Sequence, residues 1–500
     1  MLREMLHACE NPGAASRDAL KQLICDGADV NMQQAGGRQE TPLHQACLCD
    51  NPDCAHVLLE AGAATGCLNW MDFTPLGLAL QANSASCVRL LLAASASPNQ
   101  KSDSRPPLVF AVGETKVREL GTAPQTSDEC VQLLLEAGAW VDEPDTAGGT
   151  PLYIASKHRR QGCIDLLLSR RANPCLAEKE YNQTPLYFAC LKGSSDCTRR
   201  HIGCVVALCE GMTDSEFVEC INTHEELDGM TPLHAAAELQ DGDVGCLSQD
   251  EQCLRALLEK GGGLLGRLGY LDVTNDDGYT PLHFACGNGY IPSARLLIAA
   301  QADVNWHDNE QRWTPLAKAA MCGQPGSVQL LIESKADVNV LDYSGCTALA
   351  PACFFGHERC AKLMISAGVD LSDDVMMSDP DRSPFLLALK EGHQACARLV
   401  GEARKASKKK AEAKRAAQEA EAIRRAAAAE SAPRQEREDA SVAAAREAEA
   451  RRRQQAVASR ELRAQAPATQ PLRVPGPSHR EPKTRASRAP SLAARLEHEE

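Results

Sequence analysis

The chain has 500 residues, of which only 4% are aromatic and 23 are cysteine, and its formal net charge is -14. So few rings argue against several large globular cores, which Phe, Tyr and Trp ordinarily dominate. A chain this long that opens MLREMLHACENPG reads as neither a short disulfide scaffold nor a secreted precursor. No apolar run approaches the ~20 residues of a bilayer-spanning helix, and the thiols are expected to stay reduced in the cytoplasm, with the nucleus as the other location. Charge is unevenly placed: residues 401–500 hold 23 Lys and Arg against 15 Asp and Glu, a net +8, which leaves -22 for residues 1–400. All cysteines and aromatics fall in residues 1–400, so a boundary near 400 separates an acidic body from a tail without material for a core.

The body repeats. Thr-Pro-Leu begins at Thr41, Thr74, Thr150, Thr184, Thr231, Thr280 and Thr314, with degenerate copies at Pro106-Pro107-Leu108, Thr347-Ala348-Leu349 and Ser383-Pro384-Phe385. The successive spacings are 33, 32, 44, 34, 47, 49, 34, 33 and 36 residues, which describes about ten copies of one unit, three of them carrying insertions. A period of this size is the mark of a stacked repeat architecture.

In the unit that starts at Thr280, Pro281 stands in a first helical turn, where its missing N–H costs nothing. Gly289 ends that helix, Ala294 to Ile298 supplies a second, and Ala302-Asp303-Val304-Asn305 leads through a polar turn to the next copy. Neither helix buries its apolar face alone, so neighbours must stack, and small residues suit that stacking. The signature segments Thr41-Pro42-Leu43-His44, Thr231-Pro232-Leu233-His234 and Thr280-Pro281-Leu282-His283, with the closing segments Gly27 to Asn31, Ala302 to Asn305 and Ala336 to Asn339, resemble those of the ankyrin-repeat family. The resemblance covers about residues 1–400, including a partial N-terminal cap before residue 40. It implies an all-α solenoid of stacked helix pairs with β-hairpin or turn fingers.

The insertions fall at Val112 to Thr126, within Leu191 to Asp228, and near Glu238 to Gln252. They are expected to be surface loops, with Asp241 to Glu251 acidic and exposed. Cys197, His201, Cys204 and Cys209 have spacings that would suit zinc on one side of a helix. Tight Cys-x-x-Cys pairs are absent from the sequence, so core packing is the preferred reading for these thiols, as it is for Cys190, Cys286 and Cys353. No metal or cofactor is expected. Phosphate-loop, nucleophile-elbow and His-Glu-x-x-His motifs are missing, and Gly261-Gly262-Gly263 follows an apolar helix and reads as a helix stop, so the chain is expected not to be an enzyme. His44, His234 and His283 recur with the period, which points to a turn-stabilising hydrogen bond.

Ankyrin arrays, as the resemblance implies, bind proteins on a concave face built from finger tips and first helices, at positions just before the Thr and just after the central small residues. Carried over, those positions hold Phe73, Tyr279 and Trp313, with Trp70 in the same turn as Phe73, and Met321, Phe354 and Phe355 on helices. Large side chains at sites that repeat packing does not require are candidate contact residues. The acidic body favours a partner with basic character. The expected function is thus a protein-interaction scaffold. Its alternatives are a substrate adaptor of an enzyme complex such as a ubiquitin ligase, or a tether to nucleic acid or acidic membrane through the basic tail.

Residues 402–464 are rich in Ala, Glu, Arg, Lys and Gln and are expected to form an exposed helix interrupted near Pro433. With Ile423, Val442, Val457 and Leu462 the only larger apolar residues there, a coiled-coil seam is poorly supported. Residues 465–500, rich in Pro, Ser and Arg, are expected to be disordered.

Overall fold

The computed structural model describes residues 1–33, 39–113, 128–191, 198–238, 250–371, 383–431 and 440–450. Among them every regular element is a helix, and a lone bridge between Ser102 and Arg105 is the sole β pairing. The fingers are therefore turns rather than strand ladders.

Short helices alternate in pairs, an inner helix opened by the Thr-Pro signature and an outer one that returns. After a leading pair, Leu2–Glu10 and Ala14–Cys25, the pairs run Pro42–Leu48 with Pro52–Glu60, Pro75–Gln81 with Ala85–Ala93, Pro107–Val112 with Asp128–Glu136, and Pro151–Lys157 with Gln161–Ser169. They continue as Pro185–Cys190 with Thr198–Gly211, Pro232–Ala237 with Asp250–Leu268, Pro281–Gly287 with Ile291–Ala299, Pro315–Met321 with Pro325–Glu333, Leu349–Phe354 with Glu358–Ser366, and Pro384–Lys390 with Gln394–Ser431. Inner helices pack on inner helices and outer on outer, each against its sequence neighbours, which buries one continuous apolar seam.

The signature explains each start. At Thr74, Thr150, Thr184 and Thr314 the hydroxyl accepts the N–H three residues on, while Pro fills the first turn; such a cap is worth about 1 kcal/mol. Where His follows, the cap reaches further. Thr280 N–H donates to His283 Nδ1 at 3.1 Å, so the ring proton sits on Nε2, which donates to the Trp313 carbonyl of the next repeat at 3.1 Å. His234 does the same with Thr231 and the Tyr279 carbonyl, and His44 with Thr41 and the Phe73 carbonyl. The expected turn-stabilising bond is present at all three, and it also fastens one repeat to the next.

Burial opposes charging these rings, holding His283 at about 3 and His234 at about 4, with His44 lowered for the same reason. A base whose folded pKa lies below its unfolded value near 6.5 binds its proton more readily when unfolded. Stability is then full above pH 6.5 and falls as the pH drops below it, by about 1.4 kcal/mol per unit for each of His283 and His234 down to its folded value, with His44 acting in the same direction. Melting temperature is expected to be level from pH 8 to 7 and to decline between pH 6.5 and 5, where carboxylates are still ionised. A level profile through that interval would contradict the neutral-histidine latch.

One segment departs from the sequence expectation. The insertion after the helix Pro185–Cys190 is not a plain loop: beyond its undescribed residues 192–197 it lengthens the outer helix to Thr198–Gly211 and adds the helix Asp214–Ile221, capped by a reciprocal Thr213–Glu216 pair. Its apolar positions Phe217, Cys220 and Ile221 are buried, which is why it folds onto the array. The glycine run ends its helix as expected: at Gly262, with φ 47° and ψ -143°, the backbone leaves helical geometry, and a second helix follows to Leu268. The remaining insertions, including most of Asp241 to Glu251, lie outside the described residues.

Contacts divide the chain into two bodies, Met1–Lys409 and Lys410–Glu500. The division falls close to the compositional boundary near 400, within a helix that begins at Gln394, buries Cys396, Ala397 and Val400, and ends at Ser431. Residues 440–450 are also helical. The expected interruption at Pro433 and the expected disorder of 465–500 lie outside the described residues. Among those residues no helix is long and apolar enough to cross a membrane.

Candidate protein-interaction surface

Each finger is shaped by one acceptor side chain. Asn69, Asp145, Asn275 and Asp342 stand five residues before the signature Thr or its equivalent, and each accepts the backbone N–H four residues on, at 2.8–2.9 Å. Where the finger is one residue longer, at Thr184 and Thr231, the acceptor becomes Glu178 or Glu225, whose longer side chain reaches the N–H groups two and three residues on. Asp308, also six residues before its Thr, takes the N–H groups of Gln311, Arg312 and Trp313. These acids and amides went unremarked in the sequence, although a polar residue five or six before Thr74, Thr150, Thr184, Thr231, Thr280, Thr314 and Thr347 was there to be seen. Adjacent fingers are joined by single backbone bonds, such as Glu226 N–H to the Tyr181 carbonyl at 2.9 Å and Tyr343 N–H to the Gln311 carbonyl at 3.2 Å. The same linkage recurs between Asp276 N–H and the Asp228 carbonyl at 3.0 Å, and between Asp103 N–H and the Asp72 carbonyl at 3.0 Å.

The candidate contact residues separate on this frame. Phe73 is 6% exposed and packs its ring on Phe110 at 5.6 Å between centroids, so it is a core residue and not a contact residue. The reason is its neighbour: Phe110, on the next inner helix, fills the space the ring enters. Trp70 is 56% exposed at the tip of the same finger, several repeats away from the other candidates. Tyr279 and Trp313 are half-buried, and their backbone carbonyls receive the histidine bonds described above. Tyr279 carries Lys318 Nζ 4.2 Å above its ring centroid, and its phenol is raised by burial.

Phe354 and Phe355 are each 39% exposed at the end of their inner helix, ring edge against ring face with centroids 4.9 Å apart. Phe355 also stacks near His357, whose Nε2 lies 2.9 Å from the carbonyl of half-buried Met321 on the preceding inner helix. His357 thus links the Phe354–Phe355 pair to the Met321 backbone. At the other end of the same repeat Tyr343 is 67% exposed on the finger tip. Sequence reasoning passed over Tyr343 by inspecting only the residue before the Thr; a ring beside the turn-forming Asp342 was the available signal.

The thiols serve the core. Of the candidate zinc ligands, Cys204 and Cys209 are buried in the apolar seam, and burial pushes both up to about 12, away from the thiolate a metal needs. Cys197 and the His201 side chain lie outside the described residues. Cys190, Cys286 and Cys353 are fully buried, as expected of small apolar residues.

Stacked helix pairs, turn fingers and histidine latches define a repeat protein whose exposed specialisation is a surface. The family model for ankyrin repeats (3 copies) matches residues 5–102, 122–200, 199–308 and 246–342, and the chain belongs to that family. Among curated relatives, human transient receptor potential cation channel subfamily A member 1 is 26% identical over 262 residues, 52% of this chain and 20% of that protein. Human inversin is 28% identical over 248 residues, 49% of this chain and 21% of that protein. Human ankyrin repeat and SOCS box protein 16 is 32% identical over 232 residues, 46% of this chain and 44% of that protein. The chain therefore spans about a fifth of the first two relatives and less than half of the third. Ankyrin repeats are protein-interaction modules.

Proposed function

We propose that this chain is a non-catalytic scaffold that holds a partner protein on the finger tips and inner-helix ends of the repeats starting at Thr280, Thr314 and Thr347. The observation that carries the reading is the exposed, mutually packed pair Phe354 and Phe355, which His357 ties to the Met321 backbone, with exposed Tyr343 on the finger of the same repeat. Rings already held against one another lose little side-chain freedom on binding, and exposed aromatics of this kind are what interface hot spots use. The fingers leading into Thr231, Thr280 and Thr314 expose Glu226, Asp228, Asp276, Asp277 and Glu310, an acidic edge that favours a partner segment bearing Arg or Lys.

Immobilised full-length chain is expected to retain such a partner, and reversing Asp276, Asp277 and Glu310 to Lys is expected to weaken capture at low salt. The two proteins should become alike at high salt, where rim charges are screened. Equal capture at low salt would remove the basic-partner reading. A second reading, an adaptor that presents a substrate to an enzyme complex, draws on the relative named for its SOCS box. It requires ubiquitin-ligase subunits to be retained on the same column.

A further inference from the structure

Cys175 lies in the closing segment that follows the helix Gln161–Ser169, and Cys220 in the last turn of the inserted helix Asp214–Ile221. Their Sγ atoms are 2.9 Å apart. The contact is held from both sides: Cys175 Sγ is 3.4 Å from the Glu216 carbonyl on the inserted helix, and Cys220 Sγ is 3.4 Å from the Pro174 carbonyl on the closing segment. Two thiols 45 residues apart in sequence are thereby brought to bonding range by backbone that both segments fix independently.

Other cysteines come into hydrogen-bonding contact, Cys9 with Cys54 and Cys47 with Cys87, but all four are fully buried. Cys175 differs in reaching solvent while its neighbour stays inside. An oxidant can meet one member of this pair, and the other waits within reach of the product.

We propose that Cys175 and Cys220 form a peroxide-responsive dithiol that closes to a disulfide, covalently tying the closing segment of one repeat to the inserted helix of the next. The Cys175 thiolate attacks one oxygen of hydrogen peroxide or an organic hydroperoxide. The O–O bond breaks, giving a sulfenic acid, and the departing hydroxide or alkoxide takes up the proton the thiol has lost. The Cys220 sulfur then attacks the Cys175 sulfur, the S–O bond breaks, and the oxygen leaves as water with the Cys220 proton. With hydrogen peroxide, two thiols become one disulfide and two waters, a two-electron oxidation that an external dithiol reverses. The order of attack follows from exposure, since Cys175 reaches solvent and Cys220 does not; the bond to Cys175 and burial also push the Cys220 thiol up, away from the thiolate.

The inserted helix leads directly into the finger held by Glu225, which exposes Leu227. Closing the disulfide restrains the base of that finger and removes freedom from the unfolded chain.

Full-length protein is exposed to hydrogen peroxide, its remaining thiols are blocked with N-ethylmaleimide, and it is digested without reductant for mass mapping. The expected result is a cross-linked pair of peptides containing Cys175 and Cys220, lost on treatment with dithiothreitol, and a melting temperature higher than that of the reduced protein. In Cys220→Ser the second step is blocked, so Cys175 is expected to accumulate as a sulfenic acid that dimedone labels. The proposal is overturned if exposed Cys25 and Cys322 are oxidised while Cys175 and Cys220 both retain N-ethylmaleimide, or if Cys175 is found linked to another cysteine. Because the mapping is made on the unsubstituted chain, poor folding of the variant leaves it decisive.

Discussion

A chain carrying Phe354→Ala with Phe355→Ala is expected to bind its partner at least ~30-fold more weakly while melting within a few degrees of the parent. Hot-spot rings cost about 2 kcal/mol or more when truncated, and 1.4 kcal/mol is a tenfold change in affinity. Both rings are 39% exposed, so truncation leaves no buried cavity; the loss to the fold is confined to their contact with each other and the stacking on His357, of order 1 kcal/mol. Titration of the captured partner, alongside thermal melts, separates the two effects. Undiminished affinity, or a melt that collapses along with it, would show that the pair serves packing. Trp313→Ala provides a contrast: its ring packs on the core from the finger side, so that variant is expected to lower stability and affinity together.

His283→Ala is expected to destabilise the array by about 3 kcal/mol. The ring is fully buried and joins Thr280 to the Trp313 carbonyl. Its removal leaves a donor and an acceptor without these partners, at about 1–3 kcal/mol for each that stays buried, together with a void. Urea unfolding followed by circular dichroism reads the change as a lower midpoint. Since the lost bond spans two repeats, unfolding is also expected to become less cooperative, with probes on either side of the junction reporting different midpoints. An unchanged midpoint would mean that the histidine recurs for some reason other than joining repeats.

Much of the fold was legible because local chemistry repeats. Thr, Pro and His at fixed positions dictate a capped helix start wherever they occur, and the period counts the copies. Legibility failed where the outcome depends on what lies across a repeat boundary. Phe73 satisfies the positional rule for a contact residue, yet Phe110 on the next inner helix gives it a place inside. The second insertion carries enough apolar residues, Phe217 and Ile221 among them, to fold back as helix, and its length alone does not reveal that. Among the candidate contact residues, Phe354, Phe355 and Met321 could be picked from the sequence, whereas Tyr343, beside Asp342, was missed because only the residue before the Thr was inspected. The pairing of Cys175 with Cys220 joins segments from successive repeats, one of them irregular, so no spacing rule announces it.

The two edges of the array are fastened unequally. Along the inner helices, neighbouring repeats share a dry apolar seam and, at three junctions, a histidine latch; along the fingers, the backbone link described at each junction is a single hydrogen bond. Such a body is stiff on one side and compliant on the other. Pulled from its ends, it is expected to yield first by fanning its fingers apart, as a leaf spring flattens, while the helical seam keeps its register. Tyr343 sits on the finger edge and the Phe354–Phe355 pair on an inner helix, so fanning of the fingers is expected to move one contact point relative to the other before it costs any of the core.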